Sequence, residues 1–252
     1  ILPGVHVPAL MESTRLSPLD SRDLNRSFDK DLKGPTATIA HFIMDELISR
    51  VDVVMDFHSG GRSLDFLPCV VVHHLSDKKQ REKTFQAMES FGSPYNLILE
   101  EIDAGGMIDS YVEGLGKVFL STELRGGARV NNDGLKVAEV GLPRLLKHLG
   151  HLQNFENLDS FSDSSNIETS ENFEVPGESF FIRAKSRGVF ESFYDLGDEV
   201  KKEQAVGQIH FPESTDNLPL IHYARVSGKV FCKRPLALCS PGDALIMLAK
   251  KA

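Results

Sequence analysis

The sequence predicts an α/β domain followed by a small all-β module. Apolar strand-like runs alternate with segments of helical spacing over residues 1–152, which is typical of a layered α/β domain. Residues 153–177 are acidic and rich in serine, and we interpret them as a linker. Residues 178–252 contain short β-rich segments separated by glycine turns, which favours a small barrel or sandwich.

The composition argues against several classes of partner. The 252 residues are 41% hydrophobic and carry a formal net charge of −8, which does not fit the basic surface of a nucleic-acid-binding protein. No apolar run is long enough to span a bilayer. Cys69, Cys232 and Cys239 form no CxxC pair, which argues against a disulfide framework and favours a reducing compartment. We therefore expect a cytoplasmic protein that binds neither nucleic acid nor membrane.

The elements of the first domain follow from hydrophobic spacing. Thr36–Arg50 has apolar residues on one helical stripe. The next run, from Val51, has the length and β-branched content of a buried strand and ends at His58. Further strands are predicted at Phe66–His73 and Gly116–Leu124, and further helices at Asp77–Phe91 and Asn132–Leu149.

His58 is the most informative residue of this domain, because ligand sites of α/β sheets gather at the carboxyl ends of strands. Asp56 lies two residues earlier, so both side chains leave the same face of the strand. A carboxylate near a histidine fixes its tautomer, as a metal ligand requires. An isolated strand histidine is more often an ordinary buried residue, so other motifs must decide.

Two further motifs complete a candidate site. An arginine and an Asn-Arg pair lie within Ser13–Phe28, and guanidinium forks bind carboxylates bidentately. Glu123 ends a predicted strand within Ser121–Gly127, where a carboxylate can take a proton from a metal-bound water. Zinc accepts neutral imidazole, so His58 could serve as its ligand.

In this order, Asp23-Leu-Asn-Arg-Ser-Phe28, Asp56-Phe-His-Ser-Gly-Gly61 and Thr122-Glu-Leu-Arg-Gly-Gly127 resemble the succinylglutamate desuccinylase/aspartoacylase family. The resemblance implies a carboxypeptidase-like mixed sheet with flanking helices and a zinc-dependent amidohydrolase. Within the family, the motifs together with Glu101-Ile-Asp-Ala104 look most like the N-acetyl-diaminobutyrate deacetylase subgroup. The expected substrate is therefore a small N-acyl amino acid.

The resemblance also implies roles for individual residues. His58 would bind one Zn²⁺ per chain, and Glu123 would be the general base that later protonates the leaving amine. Arg15 would polarise the scissile carbonyl, with Arg22 and Arg125 as competitors for that role. The substrate carboxylate would be held by two neighbouring residues, Asn25 and Arg26.

The sequence departs from the family pattern in its metal ligands. The family supplies two further ligands from a His-x-x-Glu motif, and residues 1–252 contain none. We expect that motif to precede Ile1 in the natural protein. His6, His73 and His74 are substitutes without a supporting context. If the chain is complete, we expect no tightly bound zinc and little activity.

The second module resembles the half-barrel of biotinyl and lipoyl carrier domains, but Leu218–Arg225 contains no carrier lysine. We therefore interpret this module as structural.

Two alternatives to the deacylase stay open, namely a metal-free carboxylate-binding relative and a zinc carboxypeptidase. The sequence does not define the acyl group, and the resemblance permits a homo-oligomer.

Overall fold

The computed structural model describes residues 1–100, 105–152, 170–214 and 216–252. The α-helices are α1 (Val7–Met11), α2 (Pro35–Phe42), α3 (Lys78–Phe91), α4 (Ile108–Gly114) and α5 (Asn132–His148). The strands up to Glu123 are β1 (Val53–Asp56), β2 (Asp65–Phe66), β3 (Cys69–His73), β4 (Tyr95–Leu99) and β5 (Val118–Glu123). The later strands are β6 (Glu171–Val175), β7 (Phe181–Arg183), β8 (Gly188–Ser192), β9 (Glu199–Val200), β10 (Ala205–His210), β11 (Leu220–Tyr223), β12 (Gly228–Lys233), β13 (Leu238–Cys239) and β14 (Ala244–Lys251).

The chain divides into two compact units. Unit 1 comprises Ile1–Asp56, Asp77–Thr84 and Glu101–Leu120, and unit 2 comprises Phe57–Ser76, Phe85–Glu100 and Ser121–Ala252. Within the described ranges, no helix has the length and apolar character needed to cross a membrane. The domain boundaries expected from the sequence stay a prediction.

The core of unit 1 is formed where helix α2 and its continuation pack beside α4 and the start of β5. The buried residues of this core are Phe28, Ala40, Ile43, Met44, Ile48, Val112 and Phe119. The predicted helix at Thr36–Arg50 is present, but it changes winding to a π turn at Ile43–Leu47 and a 3₁₀ turn at Ile48–Arg50. The Lys117 ammonium donates to the carbonyls of Ile48 and Val51 at 2.6 and 2.7 Å, which satisfies groups that a helix end leaves unpaired.

Unit 2 contains a mixed sheet in the order β5-β3-β4-β6-β14-β12-β2 and a second sheet in the order β11-β10-β8-β13. Strand β4 is parallel to both β3 and β6, whereas β5 and β14 are antiparallel to their neighbours β3 and β6. The rings of Tyr95, Phe173 and Phe231 pack edge-on or tilted with centroids 5.4 to 6.0 Å apart, with Phe173 and Phe231 buried in the core and Tyr95 packed against it. The α/β fold with a mixed sheet and a β-rich C-terminal part is confirmed.

Two sequence expectations differ from this architecture. The single strand predicted at Phe66–His73 is two strands, because Pro68 lacks an amide donor and interrupts the ladder. Of the predicted linker 153–177, the structure describes 170–177, and there Glu171–Val175 form β6 between β4 and β14. The other linker residues, and the motif at 101–104, lie outside the described residues.

His222 makes unit 2 sensitive to acid. The side chain is 3% exposed on β11, its Nδ1 lies 3.2 Å from the Leu220 carbonyl, and its Nε2 is buried without a hydrogen-bond partner among the described residues. Burial lowers the pKa of His222, and nearby Lys185 lowers it further, against the opposing effect of the Leu220 carbonyl. The neutral ring is therefore the form that the fold accommodates.

We predict that stability falls as the pH drops below about 6.5, where this histidine becomes protonated in the unfolded chain. Because the pKa of His222 is lowered in the folded chain, the contribution of the neutral ring to stability is fully present above that pH. It is lost as the pH falls through the folded pKa. Between neutral and acidic pH, the free energy of unfolding measured in urea should therefore fall less for His222→Gln than for the wild-type chain. An equal loss in both proteins would contradict this assignment.

Candidate active site

The structure places His58 and Glu123 beside each other in unit 2. The His58 carbonyl accepts a hydrogen bond from the Leu124 amide at 2.9 Å, and the His58 amide donates to the Thr122 hydroxyl oxygen at 3.1 Å. Both side chains are half-buried. We call His58, Thr122 and Glu123 the histidine–glutamate patch. Sequence reasoning missed Thr122, although its position directly before the glutamate could have indicated it.

Glycines allow the two loops of this patch to approach closely. The Gly60 amide donates to the Arg125 carbonyl at 2.8 Å, and the Gly127 amide donates to the Leu64 carbonyl at 3.2 Å. A β-carbon on Gly126 would lie 1.9 Å from the Leu64 carbonyl oxygen, which no side chain could tolerate without a backbone shift. The Gly-Gly pair after Glu123 is therefore required by the packing of the loop, and the loop in turn positions Glu123.

Two buried thiols lie close to Glu123. Cys69 is its partner residue in the antiparallel pairing of β3 with β5. Burial first, and then the charge of Glu123, raises the pKa of both the Cys69 and Cys232 thiols well above the usual range. Both thiols are therefore protonated at neutral pH. They place neutral, weakly polar surface beside the candidate base, and their protonated state does not suit a nucleophile.

Arg125, one competitor for the carbonyl-polarising role, is occupied by acidic side chains. Its Nη2 atom lies 3.2 Å from Asp65 Oδ2, and its Nε atom lies 3.6 Å from Asp133 Oδ2. Asp65 is only 5% exposed, so removing the guanidinium would leave a buried charge uncompensated. Arg125 itself has a positive φ of 67°. These contacts give Arg125 a structural role in holding the loop after Glu123.

The other predicted residues meet in unit 1, around Asp23. The Arg15 guanidinium contacts Asp23 Oδ2 at 2.9 Å and Arg26 contacts the same oxygen at 3.1 Å. The backbone amide of Asn25 donates to Asp23 Oδ1 at 3.0 Å, and the side-chain oxygen of Asn25 accepts from the Ile108 backbone amide at 3.2 Å. We call Arg15, Asp23, Asn25 and Arg26 the arginine patch. Sequence reasoning missed Asp23, which the Asx-type spacing to Asn25 could have indicated.

The arginine patch carries an excess of one positive charge, because two guanidiniums share one carboxylate. Arg15 and Arg26 remain substantially exposed, with side-chain accessibilities of 71% and 44%. Exposed guanidiniums keep donors for a further carboxylate. Among the described residues, no contact joins the side chain of Arg22 to this patch.

The neighbouring segment Ser17-Pro-Leu-Asp20 has a structural function. Asp20 accepts hydrogen bonds from the Thr36 amide at 3.0 Å and the Thr36 hydroxyl at 2.6 Å, and these contacts lower the pKa of Asp20, led by the hydroxyl. His6, considered above as a substitute metal ligand, accepts from the Ala9 amide at 3.2 Å and thereby caps α1. Both residues support helix starts in unit 1.

A catalytic zinc site normally needs three protein ligands. Among the described residues there is no group of three histidine, cysteine or carboxylate side chains that could hold a metal ion. The described part of the chain therefore offers His58 as a single candidate donor. It does not by itself form a complete zinc site.

Comparison with known proteins decides the family. The family described as "Succinylglutamate desuccinylase/Aspartoacylase catalytic domain" matches residues 1–149. The N-alpha-acetyl-L-2,4-diaminobutyric acid deacetylase of Halomonas elongata is 31% identical over 251 residues, which are 99% of this chain and 71% of that protein. The chain belongs to the succinylglutamate desuccinylase/aspartoacylase family.

Solved structures support the same family assignment. The product-bound ectoine utilization protein EutE (DoeB) from Ruegeria pomeroyi superposes with a TM-score of 0.91 at 33% identity, covering 99% of this chain and 74% of that one. A succinylglutamate desuccinylase/aspartoacylase from Rhodobacter sphaeroides gives 0.90 at 32% identity, with the same coverage. The predicted family membership is confirmed, and the chain is a hydrolase of the deacylase type.

Proposed function

We propose that this family member hydrolyses the amide bond of a small N-acylated amino acid, with Glu123 as the proton-transferring group. The position of Glu123 beside His58, in a loop set by close glycine packing, is the observation that supports this proposal. Glu123 takes a proton from the water that attacks the amide carbon. The carbon–nitrogen bond then breaks, and the proton passes to the leaving nitrogen, giving a carboxylate and an amine.

The proposed substrate is N-acetyl-2,4-diaminobutyrate. The 31% identity to a deacetylase of that name over almost the whole chain supports this choice, as does the likeness to EutE. The arginine patch supports a substrate with a free carboxylate, because its guanidiniums exceed its acidic groups. We propose that Asn25 and Arg26 bind that carboxylate and that Arg15 stabilises the developing oxyanion.

Zn²⁺ remains a proposed cofactor, since the family resemblance implies it and His58 is a suitable donor. The described residues do not supply the other donors, so no chemical step above depends on the metal. The predicted cytoplasmic location and the predicted homo-oligomer also stay predictions.

A substrate panel with metal analysis tests the proposal. We expect acetate release from N-acetyl-2,4-diaminobutyrate with a kcat/KM at least about tenfold above that for N-acetylaspartate or N-succinylglutamate, since one mismatched charged group costs that much or more. Where the missing His-x-x-Glu ligands are supplied, we expect about one zinc per chain by atomic absorption, as a catalytic site requires, and its loss in His58→Ala.

Three outcomes would each contradict part of this proposal. Binding of the N-acetyl compound without turnover, unchanged by a chelator, would identify a metal-free carboxylate-binding relative. Preferential cleavage of peptides at their C-terminal bond would identify a carboxypeptidase instead. A full zinc content in His58→Ala would leave hydrolysis standing but would remove His58 from the metal site.

A further inference from the structure

Unit 2 contains an open groove lined by three arginines, none of which is among the residues proposed for catalysis. The groove has a volume of about 670 Å³ and is lined by Arg62, Arg187, Arg234 and the segment Leu236–Ser240. This volume lies in the range of small-molecule sites. The family comparison assigns no role to these residues.

Separate elements bring the three arginines together. Arg187 directly precedes β8, and Arg234 directly follows β12. Arg62 lies in the turn before β2, which pairs with the end of β12 through Asp65 and Lys233. The groove is also lined by β13, which pairs with the start of β8. The groove is therefore built on paired strand ends, which hold side chains more firmly than a long loop does.

Arg234 is held in a fixed geometry. Its Nε and Nη2 atoms donate to the Leu238 carbonyl at 3.0 and 2.7 Å, and Nη2 also lies 3.0 Å from Asp243 Oδ2. The side chain is only 10% exposed. Within the described residues these bonds leave Nη1 for another acceptor. A donor fixed in advance loses little conformational freedom when a ligand binds.

The groove has an excess of positive charge. Arg62 and Arg187 are exposed, and the described part of the chain shows no ion pair or hydrogen bond from either guanidinium. Asp243 offsets one of the three charges, which leaves an excess of two in a chain whose net charge is −8. Like charges that line one concave surface repel each other, and a bound anion of matching charge would relieve that repulsion.

We propose that this groove binds a small molecule through a dianionic phosphate group. Guanidinium forks suit both carboxylates and phosphates, but donors supplied by three separate elements suit the three oxygens of a phosphate better than the two oxygens of a planar carboxylate. The charge of a phosphate dianion equals the excess of the groove. None of the residues that line the groove has a role in the proposed hydrolysis, and this proposal does not depend on that function.

Calorimetric titration with inorganic phosphate, pyrophosphate and succinate tests this proposal on the intact chain. We expect both phosphates to bind more tightly than succinate and to bind more weakly as salt is raised. The double variant Arg62→Gln/Arg187→Gln should lose at least about tenfold in phosphate affinity, because each charged hydrogen bond contributes that order of free energy. Both substituted side chains are exposed, so the fold should be unaffected, and thermal unfolding checks this.

The matched control is Arg183→Gln, which removes an exposed arginine that pairs with Glu178 outside the groove. Its phosphate affinity should stay within about twofold of the wild type, since surface charges act weakly at a distance. Unchanged phosphate binding in the double variant, or succinate binding as tightly as phosphate, would overturn the proposal. Competition between phosphate and the N-acetyl substrate would also overturn it, because the ligand would then occupy the catalytic site.

Discussion

Replacing Glu123 with glutamine is expected to lower kcat for amide hydrolysis by about 10²- to 10⁴-fold, the usual contribution of a positioned proton-transfer group. The amide keeps the size of the side chain but cannot accept the proton from water. KM should change much less, since the proposed carboxylate contacts belong to Asn25 and Arg26. Steady-state kinetics with N-acetyl-2,4-diaminobutyrate measures both constants.

The control for this variant is Glu174→Gln on β6, which makes the same chemical change in a surface pair with Lys250. Its kcat should equal that of the wild-type chain, and circular dichroism should show the same fold for all three proteins. Wild-type turnover in Glu123→Gln would remove Glu123 from the chemistry, and the histidine–glutamate patch would then be structural.

Substitution of Gly126 by alanine is expected to cost about 3 kcal/mol of stability or more, at the upper end of what overpacking causes. The new β-carbon would lie 1.9 Å from the Leu64 carbonyl oxygen, and backbone atoms on both sides must move to admit it. Because the same loop positions Glu123, hydrolysis should also fall in the fraction that remains folded. Urea unfolding measures the loss of stability, and activity at urea concentrations below the unfolding transition measures the loss of hydrolysis.

Gly114→Ala is the matched control. Gly114 ends α4, and a β-carbon there would meet no atom within 4 Å. Alanine is favoured over glycine in a helix by about 0.5 to 1 kcal/mol, so this variant should be as stable as the wild type or slightly more stable. Equal unfolding midpoints for Gly126→Ala and the wild type would show that the loop can relax at no cost.

Much of the candidate site could be predicted because its signals are local. The strand that ends near His58 and the strand that ends at Glu123 both follow from short apolar runs before glycine pairs. Their adjacency follows from the tendency of sites to form at strand ends. The engagement of Arg125 by Asp65 could not be predicted, because the pairing spans sixty positions and depends on the fold of the loop.

The fold, too, could be predicted from local signals but not where it depends on distant pairings. Helices α3 and α5 lie within a residue of their predicted ends, since each has its own periodic stripe. Strand β6 was missed because acidic and serine-rich neighbours dominate the composition, although Phe173 and Val175 alternate with polar residues as a strand requires. The partners of β6 are strands about 75 positions earlier and later in the chain, and nothing in its own sequence selects them.

The place of β6 has a consequence for biosynthesis. It lies between β4, already translated, and β14, which ends at Lys251. Until β14 has emerged from the ribosome, β6 presents an unpaired edge, and such edges promote association between nascent chains. Contacts this distant in sequence also slow folding. The mixed sheet of unit 2 is therefore expected to form fully only once β14 has been synthesised, and the risk of aggregation is expected to be greatest while β6 lacks that partner.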